Sequence, residues 1–143
     1  MEVKKSGKEL VVLLEQGDEV ISSLEEACSL EGVKYGTILS CVGALKSSRL
    51  IIRKGLEKTI FQHLEVVGNG NVSLYKGKPF VHLHLAAGGE SGSWVGHLLE
   101  GIVEVFCEVI IVENEVRMVR EYDKALVEKG VTVPYKLRLG EKN

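Results

Sequence analysis

The chain has no basic excess, no apolar run of membrane-spanning length and no paired-cysteine motif. Its formal net charge is −2 over 143 residues, with 18 Lys and Arg against 20 Asp and Glu. Domains that wrap nucleic acid by bulk electrostatics usually carry a clear positive surplus, so this balance argues against that mode of binding. No hydrophobic stretch approaches the ~20 residues that a bilayer crossing needs. The opening segment, Met1-Glu2-Val3-Lys4-Lys5-Ser6-Gly7, has no apolar signal core behind it, and a cytoplasmic protein is the expectation. Cys28, Cys41 and Cys107 are odd in number and show no Cys-x-x-Cys spacing. They read as reduced, mostly buried thiols and not as a disulfide framework or thiolate metal site. Asn and Gln are also scarce among many Glu, Lys and Val, which hints at a heat-adapted source.

What is present suits one globular domain over 1–143. Hydrophobic residues make up 45% and charged residues 27%, enough apolar material for a core. Glu9 to Glu15 is an apolar run of strand length. Asp18 is a reasonable helix N-cap, and Val20, Ile21, Leu24, Ala27 and Cys28 then fall on one stripe, so 18–31 is expected to be the one main amphipathic helix. The remainder reads as strand: 35–45, 48–54, 59–67, 72–75, 80–87, 102–112 and 115–122, with 94–101 ambiguous. Gly68-Asn69-Gly70-Asn71 and Lys76-Gly77-Lys78-Pro79 read as turn or bulge signals, and 88–93 as a flexible glycine-rich loop. The charged tail from Lys136 to Asn143 is expected to fray. One helix among many strands joined by short turns implies an α+β fold with a mostly antiparallel twisted sheet.

In 102–112, Val103, Val105, Cys107, Val109 and Ile111 form one apolar face. The other face mixes Ile102, Phe106 and Ile110 with Glu104 and Glu108. A strand apolar on both sides is central or covered by another subunit, and an oligomer is expected.

Three of the four histidines lie within sixteen residues. His82 and His84, at i and i+2 on a strand, point to one face ~6.6 Å apart along it. Two imidazoles can lean onto one ion ~2.0–2.1 Å from each nitrogen. Val81, Leu83 and Leu85 would face the core, while the small Ala86 leaves room beside the rings. His97 follows the glycine loop, which could fold it back to the same strand, and Gly96 would permit a close backbone approach. A strand His-x-His can equally be two half-exposed rings with no ligand. Three neutral nitrogens leave a coordination position open for water, a carboxylate or a substrate. Glu100, three residues after His97, would lie near the same face if 97–100 were a helical turn, as ligand or general base; a solvated or interface carboxylate is the plainer reading. Glu90 is a weaker candidate, and His63 reads as structural or surface.

Gly77-Lys78-Pro79-Phe80-Val81-His82-Leu83-His84, followed after a loop by Val95-Gly96-His97-Leu98-Leu99-Glu100-Gly101, resembles the plants-and-prokaryotes conserved (PPC) domain. Gly36-Thr37-Ile38-Leu39-Ser40-Cys41-Val42-Gly43-Ala44-Leu45 is similar to the family's segment in which a serine precedes Gly-Ala-Leu. The resemblance covers about 8–125. It implies an α+β domain, a homotrimer and, in stand-alone prokaryotic members, a metal site at His82, His84 and His97, most simply for zinc. Plant members carry the domain behind AT-hooks that bind AT-rich DNA, and prokaryotic ones are often described as predicted DNA-binding proteins. This chain has no Arg-Gly-Arg-Pro core of an AT-hook and has Val95 where many members have glycine. The family's acidic residue upstream of the sheet turn has Glu65 as its nearest counterpart.

Three functions follow. The first is a trimeric metal-binding regulatory module, with DNA association open; Arg49, Arg53, Lys54, Arg117 and Arg120 could supply a patch, or be ordinary solvated strand edges. The second is a metal-dependent hydrolase or lyase acting on a small molecule. The third is a structural metal that stabilises the trimer. Imidazole ligands also suit copper, iron, cobalt and nickel.

Overall fold

A computed structural model describes residues 1–142, and for Glu141 and Lys142 the backbone alone. Eight strands run β1 (Glu2–Ser6), β2 (Glu9–Glu15), β3 (Gly36–Arg53), β4 (Leu56–Tyr75), β5 (Lys78–Gly89), β6 (Gly92–Glu113), β7 (Val116–Tyr122) and β8 (Tyr135–Lys142). Two short helices interrupt them, α1 (Val20–Leu30) and α2 (Lys124–Glu128). The expected main helix over 18–31 is therefore shorter, and a second, five-residue helix follows much later in the chain. Glu19, not Asp18, caps α1: its carboxylate accepts from the backbone N–H groups of Ile21 and Ser22.

The sheet order is β1-β2-β6-β3-β4-β7-β8, with β5 joined to both β4 and β6. The pairings β3–β4, β4–β5, β5–β6 and β6–β3 thus close a ring of four antiparallel strands. Among the described residues only the β4–β7 pairing is parallel, through Leu74 and Val119. Several segments that read as separate strands are continuous. Residues 35–54 form the single strand β3, and 94–112 belong to β6, because the bends are absorbed by register shifts instead of loops. The supposed loop 88–93 is a tight hairpin with Glu90 and Ser91 at its turn, and Ser91 N–H donates to Gln62 Oε1 at 3.1 Å. Of the tail expected to fray, residues 136–142 belong to β8, paired along β7, and Asn143 lies outside the described residues.

The ring encloses a core that includes Leu45, Leu50, Leu64, Leu83, Leu85 and Leu98. β5 and β6 pair only from His84–His97 to the hairpin turn. Beyond that point the two strands part, and α1 packs against both. Its carboxylates take the place of missing sheet partners: Glu25 accepts from Val81 N–H at 3.1 Å, and Glu19 from Gly101 N–H at 3.0 Å. Burial raises the Glu25 carboxyl above its ordinary range, against the Val81 hydrogen bond.

Val105 departs from the expected alternation. Val103, Cys107, Val109 and Ile111 are buried, but Val105 is 59% exposed at φ +69°. The shift between Gly43–Cys107 and Leu45–Val103 puts extra residues on β6, and the bulge turns Val105 out of the core.

Candidate metal centre

β5 alternates as its sequence suggests. Val81, Leu83, Leu85 and Ala87 are buried, which turns His82, His84 and Ala86 to the outer face. His84 is the direct cross-strand partner of His97, the last rung before β5 and β6 separate. Directly paired residues present their side chains to the same face, so the hairpin itself unites all three rings. The ring centroids lie 5.0 Å (His82–His84), 4.9 Å (His82–His97) and 5.3 Å (His84–His97) apart.

Glycines make this approach possible. A Cβ on Gly96 would run into the Ile51 carbonyl, and Cβ atoms on Gly68 and Gly70 would run into the carbonyls of His84 and His82. Gly68-Asn69-Gly70-Asn71 is accordingly no turn but the middle of β4, pressed against the histidine strand.

One nitrogen from each ring lies within 4.8 Å of the others, and the Nε2 atoms of His82 and His84 are 3.1 Å apart. Two nitrogens held ~2.0–2.1 Å from one ion at tetrahedral angles stand about 3.4 Å apart, close to the His82–His84 separation. Burial, reinforced by the neighbouring His97, Arg120 and His84, lowers His82 to about 4. Burial, then His84 and Arg120, lowers His97 to about 4 as well. Both rings are neutral at physiological pH and offer lone pairs. The three histidines fit a divalent ion, which would supply a Lewis-acidic centre with an open side.

Arg120 is the residue that sequence reading misplaced. It is not a solvated strand edge. Its Nη2 donates to Asn71 Oδ1 at 2.8 Å and to His82 Nδ1 at 3.3 Å, its Nε to Ser73 Oγ at 3.0 Å and its Nη1 to the Tyr135 carbonyl at 3.3 Å. The guanidinium also lies 5.5 Å from the Phe80 ring centre. Tyr135 packs on Tyr75 and Phe80, with centroids 4.8 and 5.7 Å away, and so fastens the C-terminal segment beside the histidines.

The other candidates lie elsewhere. There is no helical turn at 97–100; Glu100 pairs across the strands with Arg49 and lines a separate cleft with Ser47, Thr59 and Phe61. Glu90 occupies the hairpin turn, at the opposite end of the ladder from His84–His97. His63 bridges Glu104 at 2.7 Å and Glu65 at 3.4 Å on the surface. Of the basic residues, Arg49 is bound to Glu57 at 3.2 Å.

A cleft of about 460 Å³ opens beside His84 and His97. Its remaining wall comes from the end of β3 with Lys54, from Val95 and Gly96 of β6, and from residues 131–133.

Among curated proteins no relative matches the chain. Solved structures do. A metal-containing protein of Archaeoglobus fulgidus is 26% identical with a TM-score of 0.75, covering 92% of this chain and 96% of its own. A plant- and prokaryote-conserved (PPC) protein of Pyrococcus horikoshii is 27% identical with a TM-score of 0.72, covering 96% of each chain. A Bacteroides thetaiotaomicron protein with a provisional DNA-binding description is 25% identical with a TM-score of 0.80, covering 94% of this chain and 96% of its own. The profile of the Plants and Prokaryotes Conserved (PCC) domain matches residues 1–115, which include all three histidines, and the chain belongs to that family.

Proposed function

We propose that this protein holds a divalent cation, zinc by preference of its donor set, on His82, His84 and His97, and acts as a cytoplasmic homotrimeric regulatory module of the stand-alone prokaryotic type. The observation that carries the metal reading is the cross-strand His84–His97 pair with His82 Nε2 3.1 Å from His84 Nε2. The metal-containing Archaeoglobus relative agrees with it. Neutral imidazoles suit zinc, and an all-nitrogen set leaves one side for an exogenous ligand. Metal analysis of the purified protein tests this: about one ion per chain is expected, lost in His84→Ala. Undiminished metal in the variant overturns it.

Exposed apolar side chains support the trimer. Leu39, Val42, Val67 and Phe106 all stand exposed on the single chain. Light scattering should give three times the chain mass; a monomer overturns the assembly.

DNA association draws support from the descriptions of relatives, and the charge pattern opposes it. Arg49 is neutralised by Glu57 and Arg120 is turned toward His82. A gel-shift series with rising salt decides, and no retardation at low salt removes DNA from the function.

A second reading, a metal-dependent hydrolase or lyase, is favoured by one observation, the cleft that reaches His84 and His97. Glu100 is its weakest element, since it lines another cleft.

A further inference from the structure

The outer face that carries the histidines continues into an unusual chemical environment. Cross-strand pairing sets Ile51 beside His97, and Val95 follows two residues before His97 on the same face. Arg53 follows Ile51 across a register shift, and both Arg53 and Lys54 line the cleft. Val131, Thr132 and Val133 also line it. The walls are therefore aliphatic, one end is the histidine cluster, and both charged residues along the lining are cations.

Among the described residues no acidic side chain lines the cleft. Among the described residues Arg53 and Lys54 form no ion pair, although the whole chain is net negative. Both are exposed, so nothing in the fold requires positive charge there. At about 460 Å³ the space falls within the range of small-molecule sites and is far too small for a nucleic-acid duplex. Aliphatic walls reward an apolar body, and a cation-lined cleft beside a metal centre selects a negative head.

We propose that this cleft binds a small organic acid, a carboxylate on an aliphatic body, with its head directed to the histidine end and to Arg53 and Lys54. The inference rests on the metal reading above and names the ligand class of that site. Residues 131–133 lie outside the 1–115 match to the family profile.

The test uses the full chain loaded with cobalt(II), whose visible bands report both the metal and a ligand beside it. Hexanoate should shift the bands saturably and bind at least about tenfold more tightly than acetate, because its extra methylenes enter the aliphatic walls. Hexylamine should leave the bands unchanged. Arg53→Ala/Lys54→Ala should weaken hexanoate about tenfold, and Val131→Asp by more, with metal content unchanged in both. Hexanoate no tighter than acetate, inorganic phosphate tighter than hexanoate, or variants that bind as the parent does would each overturn the proposal. If cobalt gives no histidine-dependent bands, the metal reading falls by itself. Calorimetry of hexanoate on the metal-free protein then decides the cleft: binding abolished by Val131→Asp sustains it, and no binding overturns it.

Discussion

Arg120 donates a hydrogen bond from Nη2 to His82 Nδ1 across 3.3 Å. Arginine has donors only, so this contact fixes Nδ1 as the acceptor and puts the ring proton of neutral His82 on Nε2, facing His84. A metal-ligating histidine normally donates its second N–H to an acceptor, and here a cation stands in that position. An ion bound through His82 Nε2 must therefore displace Arg120 from Nδ1 and bear its repulsion. Arg120→Gln, which supplies an amide oxygen and removes the charge, should raise zinc affinity about tenfold in a competition titration with a chromophoric chelator. Weaker binding in the variant would show that Arg120 supports the ion.

The depressed histidines make stability depend on pH. His82 and His97 titrate near 4 when folded and near 6.5 when unfolded. Below 6.5 the unfolded chain takes up protons that the folded chain refuses, so metal-free stability falls as pH drops from 6.5 toward 4. Urea midpoints at pH 7 and pH 5 measure the fall, and His82→Gln/His97→Gln should shrink it. An equal fall in parent and variant would place its origin in other groups.

Glu25 replaces a strand partner for Val81. Glu25→Ala leaves the Val81 N–H without its acceptor and should cost about 1–3 kcal/mol in urea unfolding. Glu25→Gln keeps an acceptor oxygen and loses the cost of a buried charge, so its loss should stay below about 1 kcal/mol. Equal losses in the two variants would mean that the carboxylate's charge, not its acceptor, matters.

Val105 carries backbone strain with φ at +69° and little burial to offset it. Relief of strain against the added freedom of glycine predicts that Val105→Gly stabilises the chain by about 1 kcal/mol. A lower unfolding midpoint would show that the valine side chain is held by contacts outside the single chain.

The histidine trio was legible because its geometry is local. His82 and His84 share a face by strand periodicity alone, and the buried Val81, Leu83 and Leu85 follow the same alternation. The hairpin that delivers His97 is short, so chain order nearly determines the contact. Gly68 and Gly70 misled because glycine beside asparagine is good turn chemistry; their real constraint is the backbone of β5, which a reading of β4 by itself does not contain. Arg120 lies 38 residues from His82, and the β4–β7 pairing at Leu74 and Val119, together with Tyr135 packed on Tyr75, brings it there. Glu100 was placed by a helical period that the strand β6 does not have.

The compactness of the trio in sequence has a consequence for the energetics of loading. An ion on His82, His84 and His97 bridges a loop of few residues, already closed by the hairpin ladder. Loop-closure entropy grows only slowly with length, and here most of it is spent before any ion arrives. A His-x-His pair is also local enough to capture the ion in the unfolded chain, which subtracts from the linkage between binding and folding. Chelation should thus empty the site and lower the melting temperature by less than the native affinity alone would dictate. The ion would behave as an exchangeable guest of a finished hairpin, free to come and go without the sheet coming undone.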